Sequence, residues 1–483
     1  MNEELKDQMA KGLKWSGISQ ISRYILQFIF SIFLARKLFP EDFGIISIVL
    51  TFVNLIGIFN DLGLRFAIVQ KKELKDSHLT SSFWICILIS AVFFVIIIFS
   101  APLIALFFHK EMITPIIRIF AIKIIVDSFS IVPDTLLRRN MAFKKLAFID
   151  LGETIAYGIT AIILVLNGFG IFSIAWGYAI SSFVKAILLW KNHPIPIKIQ
   201  FDITSFRELF MFSKSVMGFK IVSYFISNID YLIVGKFLGM TPLGYYTLAF
   251  NMANFPREKL SSIVSNVTFP AFSKIQDDYE VLRQGYLKTI TYISIVTFPL
   301  LAGLLVLASL FITTVYTQKW NEMILPLQIL CIGGMFSSIT TFIGVIFWST
   351  GHSDYSFKFS LIALVGIFLI LLYAAQYGII GIAIGVSIYS ILINIVGEKM
   401  VESIIKSKFL DYLRALLPAT ISSAIMVLGL IIFLKLVGFV FLLPPSILLV
   451  SSILCGTLIY FFSLYLINSN IFKSLIAISR RMI

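Results

Sequence analysis

The sequence is poor in charged residues and in cysteine, and each shortage excludes a class of protein. Only 13% of its 483 residues are Asp, Glu, Lys or Arg, whereas soluble globular domains carry about 25%. Three cysteines, all within apolar runs, are too few and too scattered for a disulfide framework. The four histidines fall in separate predicted loops, and no H-E-x-x-H, Walker A or G-x-G-x-x-G pattern is present. The sequence therefore gives no sign of a disulfide scaffold, a metal centre or a phosphate-binding loop.

Apolar residues are what the sequence has in abundance. They make up 59% of the chain, and the charged residues cluster between long apolar runs. Because a membrane-spanning helix needs about 20 predominantly apolar residues, the sequence predicts an all-α integral membrane protein with about 14 transmembrane helices and short connections. The predicted spans are 16–36, 43–69, 82–108, 114–133, 146–166, 170–190, 210–237, 243–270, 289–315, 324–348, 356–376, 378–397, 412–435 and 444–467.

The formal net charge of +14 fits a membrane protein better than a nucleic-acid-binding one. With these spans, roughly four of every five Lys and Arg residues in the connections lie on the side of the N-terminus, as the positive-inside rule requires of the cytoplasmic side. The first apolar run carries Arg23 and no small-residue cleavage pattern, so we expect a retained span rather than a secretory signal. Both termini are predicted to be cytoplasmic, and no nucleic acid is expected as a partner.

Several ionisable residues lie inside predicted spans, where an unpaired charge is expensive. Lys185 lies near a span end and is expected to extend its ammonium group to the interface. Arg65 and Lys123 each have an acidic residue one helical turn away, Asp61 and Asp127; this spacing favours local ion pairs, while a ligand role stays open. The cations without such a neighbour are expected to face a water-filled cavity: Arg23, Arg118, Lys220, Arg257 and Lys259.

Residues 14–54 and 214–254 resemble each other without gaps. The most informative identities are Tyr24 with Tyr224, Gly44 with Gly244, and Asn54 with Asn254. Six predicted spans separate the copies, so both copies have the same orientation, which predicts two six-helix lobes with the substrate between them. We place the lobes at 1–200 and 201–400, followed by two additional helices and a tail at 401–483. A chance match between apolar segments is the alternative.

Two residue types in this repeat or directly after it have predicted structural roles. Gly44 and Gly244 fall where one helix is expected to reverse into the next, and glycine accepts backbone angles that other residues resist. Pro256 falls within the predicted span 243–270, immediately before Arg257. Because proline removes a helical hydrogen bond, a bend is expected beside the Arg-Glu-Lys sequence.

Several stretches of the chain together resemble a known family. They are ARKLFPEDFGIISI, DLGLRFAIVQKKELKDSHLTSSFW, LLRRNMAFKKLAFIDL, NIDYLIVGKFLGMTPLGYYTLAF and NFPREKLSSIVSNVTFPAFSKIQDD. The chain resembles bacterial polysaccharide exporters of the Wzx type, closest to the branch of colanic-acid and teichuronic-acid exporters. These belong to the multidrug/oligosaccharidyl-lipid/polysaccharide (MOP) group, with the MATE drug antiporters and the lipid II flippase. The C-terminal third matches by hydropathy alone.

The resemblance implies a flippase that works by alternating access around a central cavity, and not an enzyme. Its cargo would be a lipid-diphosphate-linked oligosaccharide of the undecaprenyl-diphosphate type, moved across the bacterial inner membrane for lipopolysaccharide, exopolysaccharide or a related polymer. No cofactor is implied, although H⁺ or Na⁺ could serve as a coupling ion. Membrane lipids and other polysaccharide-assembly proteins are the expected partners.

This cargo assigns roles to the intramembrane polar residues. A pyrophosphate in a low-dielectric cavity requires cationic partners. The expected anion site comprises Arg23, Arg118, Lys123, Lys220, Arg257 and Lys259. Asn54, Asn228 and Asn254 are expected to hydrogen-bond the sugars. Asp230 and Glu258 are expected to hold the cations in place or to bind the coupling ion.

Two other functions stay open at this point. A MATE-like, cation-coupled drug antiporter would share the fold, but it should carry unpaired acidic residues in its lobes, whereas cations outnumber acids here. A membrane enzyme of polysaccharide assembly, such as a polymerase or ligase, should have a sizeable outward-facing loop with catalytic residues. The outward connections predicted here are all short.

Overall fold

The computed structural model describes the backbone of residues 3–60, 63–71, 73–193, 202–440 and 443–474. Side chains are described from Trp15 onward, apart from those at 66, 203–217, 219 and 438–440. These residues are almost entirely α-helical and include no β-strand, which confirms the predicted all-α class. The helices are α1 (Glu3–Lys37), α2 (Pro40–Asn60), α3 (Leu64–Gln70), α4 (Asp76–Phe107), α5 (Ile113–Arg139), α6 (Phe143–Leu166), α7 (Phe172–Asn192), α8 (Ile203–Phe237), α9 (Met240–Phe255), α10 (Ser262–Lys274), α11 (Tyr279–Phe311), α12 (Ile324–Ser349), α13 (Ser353–Ala374), α14 (Gly378–Ile405), α15 (Phe409–Val440) and α16 (Pro445–Ile467).

The predicted spans coincide with these helices, with one clear error. The predicted span 43–69 is divided, because α2 ends at Asn60 and α3 begins after Gly63, whose φ of 73° lies in the left-handed region. Among the described residues, 10 helical segments are long and apolar enough to cross a membrane. The predicted spans 114–133, 210–237 and 243–270 are not among them, and these three carry most of the candidate binding residues. The chain is a multi-pass membrane protein, and the total of fourteen spans stays a prediction.

Large apolar side chains cover the outer faces of several helices. Phe99 and Leu106 on α4 and Leu458 on α16 are all more than 70% exposed. Soluble monomers rarely expose extended apolar patches. These faces are suited to contact with lipid acyl chains.

The residues divide into two compact units, and the first is Met1–Gly244. In this unit α6 packs against α1 and α7, while α5 packs against α4, α7 and α2. Helix α8 packs against α2. The first repeat copy and the start of the second therefore lie within one unit.

The second unit is Tyr245–Ile483. Helix α11 packs against α12, α15 and α16, while α12 also contacts α10 and α14. A large apolar core forms along α11, α12, α14 and α15, and it includes Tyr286, Phe342, Phe347 and Tyr412. The predicted lobes at 1–200 and 201–400, with additional helices at 401–483, stay a prediction.

Each of the two matched glycines of the repeat lies against the backbone of the other repeat copy. A β-carbon built on Gly44 would lie 1.9 Å from the carbonyl oxygen of Met240, and one built on Gly244 would lie 1.7 Å from that of Pro40. Both glycines lie within helices and neither has a positive φ, whereas Gly239 in the turn does, with φ 92°. The predicted reason for these glycines was therefore wrong: they permit close backbone approach rather than a turn. The reciprocal contact supports a structural repeat over a chance match.

Candidate functional site

A group of polar residues lies where α8 packs on α2, and we call it the α2–α8 seam: Thr51, Asn54, Lys220, Tyr224 and Asn228. The Tyr224 hydroxyl donates to the carbonyl oxygen of Thr51, which joins the two helices. Lys220, Tyr224 and Asn228 are spaced four residues apart, so they share one face of α8. Asn54 follows Thr51 by one turn of α2 and is exposed. The structure thus places three of the predicted binding residues, Asn54, Lys220 and Asn228, on two facing helices.

A second group joins α1, α6 and α7, and we call it the Arg23 cluster. Arg23 Nη1 donates to Asp150 Oδ2 at 3.0 Å. Lys185 Nζ donates to Glu153 Oε2 at 2.7 Å and lies 3.8 Å from Asp150 Oδ1. Arg23 has no acidic neighbour on its own helix, and the structure supplies its partner from α6. The interfacial position expected for Lys185 stays a prediction. The pairing acids come from another predicted span, which sequence spacing along a single helix could not show.

Removing one acid from the Arg23 cluster should destabilise the protein. Asp150→Asn leaves Arg23 and Lys185, whose side chains are 30% and 23% exposed, with Glu153 as the remaining acid of the cluster. We expect the free energy of unfolding to fall by about 1–3 kcal/mol, because partly buried charges lose a partner. Thermal unfolding of the purified chain in detergent measures this change.

The matched control is Asp354→Asn, which removes one member of an exposed pair with Lys358. Exposed pairs contribute roughly 0–1 kcal/mol, so this variant should unfold almost like the wild type. Adding Arg23→Gln to Asp150→Asn should recover part of the loss. Equal effects of the two aspartate substitutions would contradict an ion-pairing role for Asp150.

Another carboxylate, Asp134 near the end of α5, is buried between two arginines. Its Oδ2 atom lies 3.2 Å from Arg65 Nη1 and 2.8 Å from Arg138 Nε. Asp61, the predicted partner of Arg65, lies outside the described residues. This ion pair connects α3 to α5, so Arg65 is not an isolated charge.

The middle of α5 carries two of the predicted anion-binding residues. Lys123 forms an ion pair with Asp127, as the spacing predicted. Arg118 is exposed, and among the described residues it makes no ion pair or hydrogen bond.

A π-helical segment, Pro256–Ser261, interrupts the helix between α9 and α10 at the place where Pro256 predicted a bend. It carries Arg257, Glu258 and Lys259, and single-turn π-helices often occur at functional sites. Glu258 Oε2 lies 3.6 Å from Lys259 Nζ. Arg257 is exposed and makes no ion pair among the described residues, although it interacts electrostatically with Tyr389 of α14.

The predicted site residues therefore fall into several groups. The groups are Asn54, Lys220 and Asn228 in the α2–α8 seam; Arg23 in its cluster; Arg118 and Lys123 on α5; Asp230, buried on α8; and Asn254, Arg257, Glu258 and Lys259 at and beside the π-helical segment. Ligand binding by any of them stays a prediction.

One buried acid was missed by the sequence analysis. The predicted span 378–397 ended one residue before Glu398, but α14 continues to Ile405 and Glu398 is only 3% exposed. Asn394, four residues earlier, is buried on the same helix face. The apolar residues Val401 and Ile404 continue the helical period, and this signal could have extended the span to include Glu398.

Comparison with known proteins gives consistent results. Residues 33–325 match the family model described as polysaccharide biosynthesis protein. Lipopolysaccharide biosynthesis protein WzxC of Escherichia coli (strain K12) is 27% identical over 417 residues, 85% of each chain. Teichuronic acid biosynthesis protein TuaB of Bacillus subtilis (strain 168) is 27% identical over 465 residues, 95% of each chain. Among solved structures, the lipid II flippase MurJ in an inward closed conformation has a TM-score of 0.76 at 21% identity, with 95% of this chain and 99% of that chain covered.

Proposed function

We propose that this chain, which belongs to the polysaccharide biosynthesis protein family, translocates a lipid-linked oligosaccharide across a membrane. The relatives named for lipopolysaccharide and teichuronic acid biosynthesis support this function, and the fold is shared with a lipid II flippase. In our proposal the cargo carries an undecaprenyl-diphosphate-type anchor and crosses the bacterial inner membrane by alternating access. The two termini are cytoplasmic, and the substrate leaves chemically unchanged.

The observation that carries the proposal is a pair of arginines without acidic partners, Arg118 in the first unit and Arg257 in the second. Both are exposed, and within the described residues neither makes an ion pair. Arginine presents a rigid fork of N–H donors that matches phosphate oxygens in a bidentate geometry. An anionic diphosphate is the part of the cargo that such groups would recognise.

Four acidic residues on α5 and α6 weigh against a transporter of cationic drugs. Asp127, Asp134, Asp150 and Glu153 each pair with a lysine or arginine. A cationic drug would have to displace those partners before it could bind. These four acids are therefore occupied by cations, whereas Arg118 has no acidic partner among the described residues.

Deletion of the gene tests the function and identifies the cargo. We expect the deletion strain to lose its surface polymer and to accumulate a lipid-linked oligosaccharide, which mass spectrometry of the lipid extract would identify. The wild-type chain supplied from a plasmid should reverse both effects. A strain that keeps its polymer and accumulates no such lipid would refute the proposed function.

A further inference from the structure

Glu398 is a carboxyl group buried in the apolar core of the second unit. It is 3% exposed, and it forms no ion pair among the residues that the structure describes. A buried carboxylate without a cation is strongly disfavoured relative to its neutral, protonated form. Glu398 is therefore suited to take up and release a proton.

Hydrogen-bonding side chains lie at and next to this carboxyl group, on the four helices α11, α12, α14 and α15. The Tyr286 hydroxyl of α11 donates to Glu398 Oε1. One turn away on α14, Asn394 Oδ1 accepts from the Tyr412 hydroxyl of α15 at 2.6 Å, and Asn394 Nδ2 donates to Thr340 Oγ1 of α12 at 3.1 Å. Tyr286, Asn394 and Tyr412 are all at least 97% buried. The carboxyl group thus belongs to a built polar site rather than to an isolated packing defect.

The helices that pack against this site contribute no opposing charge to it. Tyr286 from α11 and Tyr412 from α15 are the titratable groups that interact with Glu398. Helix α12 contains no Asp, Glu, Lys, Arg or His. Of the charged residues at the neighbouring helix ends, Lys288, Asp354, Lys358, Lys399 and Arg414 are exposed, whereas Arg283, Glu402 and Asp411 are half-buried. Arg283 pairs with Glu280, and Asp411 pairs with Arg414. Protonation of Glu398 therefore changes the charge of the site from −1 to zero without compensation by a nearby cation.

We propose that Glu398 is a proton-binding site whose protonation is coupled to the transport cycle, a role that rests on the proposed function. A proton from the aqueous phase binds the carboxylate to give a neutral carboxyl group, which keeps the core packed. Release of that proton to water restores the carboxylate and favours a conformation in which water reaches it. A metal cation fits less well, because hard cations take several oxygen ligands and the amide and hydroxyl groups here already bond one another.

The direct test is infrared spectroscopy of the purified full-length protein in detergent over a pH series. We expect a carbonyl stretch of a protonated carboxyl group that disappears as the pH rises. Glu398→Gln should abolish this band. Tyr286→Phe should keep the band but shift its frequency, because the hydrogen bond to the carboxyl group is lost.

The matched control is Glu402→Gln, the same substitution one turn further along α14, at a half-buried glutamate. This variant should keep the band unchanged. A band that survives Glu398→Gln, or the lack of any pH-dependent band, would overturn the proposal. A midpoint that moves with sodium chloride but not with potassium chloride would also overturn it, in favour of a sodium site.

Export assays separate this proposal from the proposed function. In cells that carry the wild-type chain or Glu402→Gln, we expect export to vary with external pH, and Glu398→Gln should remove that dependence. If Glu398→Gln exports with the wild-type pH dependence, the coupling role fails while the export function stands. If the wild-type chain itself does not restore export in the deletion strain, the proposed function fails, and the infrared result still reports on Glu398.

Discussion

Replacing Arg118 and Arg257 together with glutamine is expected to abolish export while the protein remains in the membrane. Neither arginine makes an ion pair within the described residues, so neither substitution leaves a buried acid unpaired. A hydrogen bond to a charged group contributes about 1.5–3 kcal/mol. Since about 1.4 kcal/mol corresponds to a tenfold change in affinity, each substitution should weaken binding of the diphosphate roughly 10- to 100-fold. Accumulated lipid-linked oligosaccharide and polymer output in the deletion strain measure the effect.

Two further variants make this test specific. Arg118→Lys with Arg257→Lys keeps both charges but loses the bidentate geometry, so its export should lie between that of the wild type and the glutamine variant. Arg414→Gln removes an exposed arginine that faces Asp411 at 3.7 Å, and it should export normally. Immunoblots of membrane fractions verify equal amounts of protein. Undiminished export by the double glutamine variant would exclude both arginines as residues that bind the anion.

Adding one methyl group at Gly44 should strongly destabilise the protein. The β-carbon of Gly44→Ala would meet the Met240 carbonyl oxygen, and that of Gly244→Ala would meet the Pro40 carbonyl oxygen, at distances that no side-chain rotation can relieve. Overpacking in a core costs roughly 1–3 kcal/mol, and a clash with backbone belongs at or above the upper end. We expect each alanine variant to lose about 3 kcal/mol of unfolding free energy or more, measured by thermal unfolding in detergent.

The double variant and a third glycine complete this test. Once one alanine has separated the two segments, the second should cost less, so the effects of Gly44→Ala and Gly244→Ala should not add. Gly57 lies on the same helix as Gly44, and a β-carbon there meets nothing within 4 Å. Gly57→Ala should be neutral or stabilising by up to about 1 kcal/mol, through helix propensity. Equal losses for Gly44→Ala and Gly57→Ala would show that the close approach has no energetic role.

The fold class and most helix positions could be predicted from the sequence, because long apolar runs separated by short polar connections are typical of membrane-spanning helices. The error at Gly63 has a physical cause: apolar residues on both sides keep the average hydropathy high across Asn60 and Gly63, and the left-handed backbone of a glycine does not change the hydropathy. The error at the end of α14 arose differently. The charge of Glu398 led to a predicted span end at residue 397, although the helical spacing of apolar residues continues beyond it and the helix ends at Ile405. Local charge is thus a poor marker of a helix end when other helices bury that charge.

The candidate site could be predicted only in part, because its pairings join distant helices. The Lys123–Asp127 pair follows from spacing along one helix and was predicted correctly. Arg23 and Arg65, in contrast, pair with Asp150 of α6 and Asp134 of α5, and sequence spacing carries no information about such contacts between helices. The same limit applies to Gly44: the repeat indicated that a glycine is needed there, but it did not indicate the close backbone approach that requires it. Its neighbour in space is Met240, on the other copy.

The reciprocal contact of the glycines has a consequence for the history of the chain. Gly44 meets the backbone at Met240, and Gly244 meets the backbone at Pro40, so the same surface of each copy contacts the same surface of the other. A contact of this kind is isologous, the type that two identical subunits form around a two-fold axis. A half-length ancestor with a single copy would therefore have formed it as a homodimer. Gene duplication and fusion would then place both subunits of that dimer in one polypeptide.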